Sequence, residues 1–138
     1  MKLNRKSGFT LLEIIIVIII VGVLASLALP RFFATVEFSR STEALQNAST
    51  VRASVERCYL GTGGTYVGCT ISNIDVTDPT SSPGAHFTYT INGQTATAYT
   101  IQATRNAVDG GDGSSWIRVI QGAAGVTRNG SGAFIGVR

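Results

Sequence analysis

Residues 9–29, FTLLEIIIVIIIVGVLASLAL, form a run of 21 residues in which Glu13 is the sole charged side chain. As a helix rising about 1.5 Å per residue, the run spans about 30 Å, the hydrocarbon thickness of a bilayer. A chain of 138 residues has room for one domain with a modest core in addition to this N-terminal segment. The segment is therefore read as membrane-spanning. Lys2, Arg5 and Lys6 precede it. The positive-inside rule keeps those cations cytoplasmic and sends the C-terminus outward.

Glu13 divides the readings of this segment. A carboxylate at the centre of a membrane helix costs on the order of 2.5–3.5 kcal/mol, and less near an end, so its presence points to function. A cleavable secretory signal accounts for the basic start, the apolar stretch and the small residues Ser26 and Ala28 before Leu29, but gains nothing from Glu13. A simple anchor also leaves it unexplained. Cleavage after Gly8 explains it, because a new α-amine on Phe9 would lie one helical turn from Glu13. Between packed chains, such an ammonium offsets the cost of a buried carboxylate and sets the axial register of stacked subunits.

The stretch KSGFTLLEIIIVIIIVGVLASLALP resembles the class III leader and N-terminal helix of type IV prepilins and of the related type II secretion pseudopilins. The resemblance rests on the basic leader, the Gly8–Phe9 junction, the buried Glu13 at fixed spacing, and the pair Gly22 and Pro30. It implies cleavage between Gly8 and Phe9 by a prepilin peptidase, N-methylation of Phe9, and subunit assembly through Phe9 and Glu13. It also implies helix loosening between Gly22 and Pro30 during filament formation. Locally, Pro30 removes a helical hydrogen bond and kinks or ends the helix, or marks the membrane exit, while Gly22 lowers helix propensity by about 1 kcal/mol relative to Ala. Beyond Pro30 the resemblance is architectural.

The formal charge of +3 comes entirely from the leader, since from Phe9 onward eight arginines balance eight acids and no lysine remains. The basic pI is thus no argument for nucleic-acid binding. Cys58 and Cys69 bracket a glycine-rich loop. In an exported chain they are expected to form a disulfide worth roughly 2–3 kcal/mol by loop entropy, the alternative being two unbonded buried thiols. Two cysteines and one histidine do not make a structural zinc site.

After Pro30, Ala44, Ala48, Val51, Val55 and Cys58 recur at helical spacing, with Leu45 and Tyr59 broadening the stripe and Arg40, Glu43, Arg52 and Glu56 mostly off it. Phe32, Phe33 and Phe38 precede the stripe and suit either other helices in an assembly or a membrane interface. The helix should end near Leu60, and residues 61–85 read as a connecting loop. HFTYTI and AYTIQAT then form a hairpin with Phe87, Tyr89, Ile91, Tyr99, Ile101 and Ala103 facing one way, and Asn92-Gly93 suits a tight turn. SWIRVIQG gives a third strand, AFIGV is the candidate for a short fourth, and RNGSG reads as a turn. The expected fold is α+β, type IV pilin-like: a long N-terminal α-helix, membrane-embedded in its first half, packed on a three- to four-stranded antiparallel sheet. Its parts are a leader over 1–8, a membrane and filament-core segment over 9–30, an amphipathic second half over 31–60, and a loop and sheet over 61–138.

VDGGDGSSW offers Asp109, Asp112 and Ser114 as oxygen ligands for calcium, but a glycine-rich turn between strands is the preferred reading, so no metal is assigned. His86 has no acid or nucleophile at motif spacing and is read as structural or exposed. No nucleotide loop or triad signature is present, so no catalytic residue, cofactor or enzyme activity is expected. The resemblance implies a homopolymer of pilin subunits, with the membrane, the prepilin peptidase and an inner-membrane assembly platform with its ATPases as partners. Nucleic acid enters only as filament cargo. The precursor is expected in a bacterial inner membrane and the product in an extracellular pilus serving adhesion, twitching motility or DNA uptake. The alternative is a pseudopilin of a short periplasmic pseudopilus.

Overall fold

The computed structural model describes residues 8–138, in two units whose described residues are 8–35 and 36–138. The basic leader residues Lys2, Arg5 and Lys6 lie outside the described residues. Helix α1 runs from Leu11 to Gly61, and Pro30 lies inside it. Four strands follow, β1 (Phe87–Asn92), β2 (Tyr99–Arg105), β3 (Trp116–Gly122) and β4 (Gly125–Ser131). They form one antiparallel sheet in the order β1-β2-β3-β4. The fold is α+β, as the sequence predicts.

In the first unit, residues 8–35 are all exposed. Even the best covered of its large apolar side chains, Ile15, is 39% exposed. An apolar surface this continuous calls for cover from lipid or from other chains.

In the second unit, one face of α1 is the second layer of the core. Ala48, Val51 and Val55 pack with Tyr66, Cys69, Ile91, Tyr99, Ile101 and Val119. Ala44 lies with Phe87, Tyr89, Ala103, Ile117, Phe134 and Val137. Each fully buried valine contributes roughly 1.5–3 kcal/mol, and the alanines let the helix approach the sheet closely. The strict alternation of β1 and β2 places their apolar positions on this face. Arg105 closes the row: it is almost fully buried, and its guanidinium meets Glu37 of α1.

Three local expectations are corrected. Asn92-Gly93 does not make a tight two-residue turn: Asn92 pairs with Thr100, so 93–98 form a wider connection. That connection closes through Thr95 N–H donating to the Ala98 carbonyl, and it reaches the earlier loop, where Tyr66 N–H donates to Thr95 O and Gln94 Nε2 to Cys69 O. RNGSG is not a turn: residues 128–131 are the second half of β4. AFIGV is not the fourth strand: Gly132–Phe134 form a 3-10 turn, and Phe134 and Val137 seal one end of the core. The reason is common to both: β4 has no buried face, so no alternation marks it, and backbone pairing to β3 holds it.

The glycine at 130 is there for space. A Cβ on Gly130 would lie 2.1 Å from the Phe134 carbonyl oxygen, because the C-terminal segment folds back across β4. Gly130→Ala is therefore expected to destabilise the head by about 1–3 kcal/mol in urea titration. Gly122→Ala, whose Cβ would meet nothing within 4 Å, should be near neutral.

Candidate functional site

The N-terminal site is built on the first turn of α1. Thr10 precedes the helix, and its backbone N–H and its hydroxyl each donate to Glu13 Oε2 at 2.8 Å. Glu13 N–H donates back to Thr10 Oγ1 at 3.2 Å. This is a capping box, T-L-L-E, which satisfies helix-end donors and sets a carboxylate at the positive end of the helix dipole. The reading of Glu13 as an isolated anion missed it, although Thr followed three residues later by Glu is a legible signal. Both described hydrogen bonds to the Glu13 carboxylate fall on Oε2. Gly8 and Phe9 lie outside the helix in exposed backbone, with Phe9 85% exposed.

Gly22 and Pro30 both sit in helical backbone. A Cβ at Gly22 would meet nothing within 4 Å, so packing inside the chain does not require glycine there. Pro30 brings no N–H to the carbonyl of Ser26, one turn earlier.

At the other end of α1, Cys58 and Cys69 are joined in a disulfide, as expected. It fastens the helix end to the connecting loop. The attachment continues through Asp75, which takes Arg57 Nη2 at 2.8 Å and the Ser54 hydroxyl. Those bonds hold the Asp75 carboxyl down at about 2, Arg57 contributing most. Glu56 accepts from Tyr66 at 2.9 Å and from Tyr99 at 2.8 Å. Burial first, and then the bond to Glu56, push the Tyr66 phenol up to about 12.

His86 turns out to have two acidic partners that its sequence neighbourhood hides. Nδ1 lies 2.8 Å from Glu43 on α1, and Nε2 lies 3.1 Å from Asp109 in the β2–β3 connection. The bond to Glu43 is the main cause that raises the His86 pKa above its ordinary 6.5, opposed by burial and reinforced by Asp109. Only the doubly protonated ring donates to both acids at once. Glu43 and Glu56 thus flank the buried stripe and reach across to the other layer. Distances of tens of residues made them read as surface charges.

Asp109 and Asp112 do not converge. Asp109 faces His86, while Asp112 accepts from the Ser114 and Ser115 backbone at 3.0 and 2.8 Å and from the Ser115 hydroxyl. Those bonds, led by the Ser115 side chain, hold the Asp112 carboxyl down at about 2. Among the described residues no three His, Cys, Asp or Glu side chains cluster to hold a metal. The segment is a glycine-rich turn in which Asp109 itself adopts a left-handed backbone, φ 51°.

The family model for the prokaryotic N-terminal methylation motif matches residues 3–29. The chain is similar to a probable minor fimbrial protein of Dichelobacter nodosus, 44% identical over 66 residues, covering 48% of this chain and 41% of that one. It is similar to the type IV major fimbrial protein FimA of the same organism, 33% identical over 88 residues, covering 59% and 56%. It is also similar to the type II secretion system core protein G of Aeromonas hydrophila, 43% identical over 47 residues, covering 34% and 33%. The chain spans about half the length, or less, of these curated relatives. No solved structure matches it significantly.

Two outcomes test the head. Because the folded pKa of His86 lies above the unfolded 6.5, its contribution is complete below pH 6.5 and is lost as pH rises through the folded value. Asp75 and Asp112 act in the opposite sense: their contribution is present above 3.8 and is lost as pH falls toward 2. Denaturation midpoints of the full-length protein in neutral detergent should fall on both sides, and His86→Gln should abolish the alkaline fall. Replacing both Cys58 and Cys69 by Ser should cost about 3 kcal/mol in the same assay.

Proposed function

We propose that this prepilin-like chain, with its class III leader, is a structural subunit of an extracellular type IV pilus. The observation that carries the reading is the fully exposed apolar segment 9–29 with a capped carboxylate in its first turn. Residues 9–30 hold the precursor in the inner membrane and later form the filament core, 31–60 join core to head, and 61–138 face outward. Prepilin peptidase cuts between Gly8 and Phe9 and methylates the new amine.

The capping box refines the assembly role of Glu13. Thr10 uses one carboxylate oxygen, which leaves Oε1 to accept from the Phe9 ammonium of a neighbouring subunit. Within packed apolar helices that pairing is strongly favoured over an unpaired charge, and so fixes the register. The missing bond at Pro30 and the poor helix propensity of Gly22 make the stretch between them the easiest to unwind as helices pack. Extraction from the membrane is driven by the ATPases of the assembly platform. The filament serves adhesion, twitching motility or DNA uptake, with nucleic acid as its cargo, and the subunit itself performs no catalysis.

The similarity to the secretion core protein supports a second reading, a pseudopilin in a short periplasmic pseudopilus. Shearing cells separates the two, since a pilin is recovered in long filaments and a pseudopilin is not. Intact mass spectrometry should give a mature chain beginning at methylated Phe9, and a start near Leu29 would exclude both. Glu13→Ala and Glu13→Gln should each be processed but fail to assemble. Glutamine retains the cap and removes the charge, so normal filaments from Glu13→Gln would reduce Glu13 to a helix cap.

A further inference from the structure

The charges of the head are unevenly matched. Residues 36–138 contain seven arginines and seven acids. All seven acids have a partner inside the unit: Glu37 with Arg105 and Arg40, Glu43 with His86, Glu56 with two tyrosines, and Asp75 with Arg57. Asp78 caps a short turn through Thr80 N–H, Asp109 meets His86, and Asp112 meets its own loop. Arg118 stacks on Trp116 at 4.0 Å and donates to Gln102. That leaves Arg52, Arg128 and Arg138, for which no ion pair or side-chain hydrogen bond is formed among the described residues.

These three arginines line one cavity. It is an open hollow of about 680 Å³ between α1 and β4, lined also by Thr127 and Asn129, with no acidic side chain among the described residues of its lining. Arg52 Nε is sealed from solvent without a hydrogen-bond partner. A buried donor of a charged group left without an acceptor carries an uncompensated desolvation cost. Glu56, one turn along α1, is already engaged through both oxygens by Tyr66 and Tyr99.

We propose that this cavity is a binding site for a tetrahedral oxyanion, a phosphate or sulfate group, held by the guanidinium groups of Arg52 and Arg128 with Arg138 at the rim. Guanidinium forks match such oxygens in pairs, and an anion in the hollow gives these arginines the counter-charge that the head itself does not supply there. A second copy of the head is a poor source of that anion, because five of its seven acids, Glu37, Glu43, Glu56, Asp75 and Asp112, are engaged through both carboxylate oxygens. The ligand therefore comes from outside the chain, either as a free ion or as an ester carried on a larger molecule.

Calorimetric titration of the full-length protein in neutral detergent, first with inorganic phosphate and then with inorganic sulfate, tests the site. The expected result is saturable one-to-one binding, weakened at least about tenfold by Arg128→Gln and unchanged by Arg57→Gln, a surface arginine outside the cavity. Arg52→Leu should lose binding while keeping or raising the thermal midpoint, since it removes the orphaned donor. A dinucleotide or glucosamine 6-sulfate that binds more tightly than the free ion, and loses that advantage in Arg128→Gln, identifies the ester source. No saturable binding of either ion, an equal loss in Arg57→Gln, or acetate binding as tightly as phosphate would overturn the proposal.

Discussion

The contact between one stripe of α1 and one face of the sheet is what the head depends on. Among the described residues, Ala44, Ala48, Val51 and Val55 are the helical layer that covers Phe87, Tyr89, Tyr99, Ile101 and Ile117. A four-stranded sheet with its second face solvated has no other way to bury its apolar side. Every other device in the head serves that contact. Arg105 with Glu37 and His86 with Glu43 tie its margin near β1, the disulfide and Asp75 tie the helix end, and Phe134 closes the open end of the sandwich.

The polar ties share a design in which Arg105, His86 and Glu56 each meet a partner on the opposite layer. Arg105 is buried with its guanidinium satisfied by Glu37 and by the carbonyls of His86 and Asn106. Such buried pairs add specificity of docking more than raw stability, because desolvation offsets much of the attraction. They fix how the helix lies along the strands, which an apolar stripe of alanines and valines leaves loosely defined. Against this thorough pairing, the unmatched arginines beside β4 stand out.

The N-terminal unit follows the opposite logic. None of its residues from 8 to 35 is buried, and its charged residue early in the helix, Glu13, is spent locally on capping through one oxygen only. A capped carboxylate has its geometry fixed before any neighbour arrives, which lowers the ordering cost of an intermolecular bond. The cap and the assembly role are therefore compatible uses of one side chain.

Much of this protein was legible in the chain. The apolar run over 9–29, the stripe from Ala44 to Cys58, the alternation of β1 to β3 and the cysteine pair all announce themselves, because each depends on periodicity or proximity along the sequence. The capping box is equally readable, as Thr10 followed three residues later by Glu13. What the tertiary structure alone decided has a different origin. β4 carries no apolar face, Gly130 is needed because a distant carbonyl crosses it, and His86 meets Glu43 from 43 positions away. Pairing of backbone across an edge, close approach of remote segments and the meeting of opposite charges leave no period in a sequence, since the partners become neighbours only once the helix has settled on the sheet.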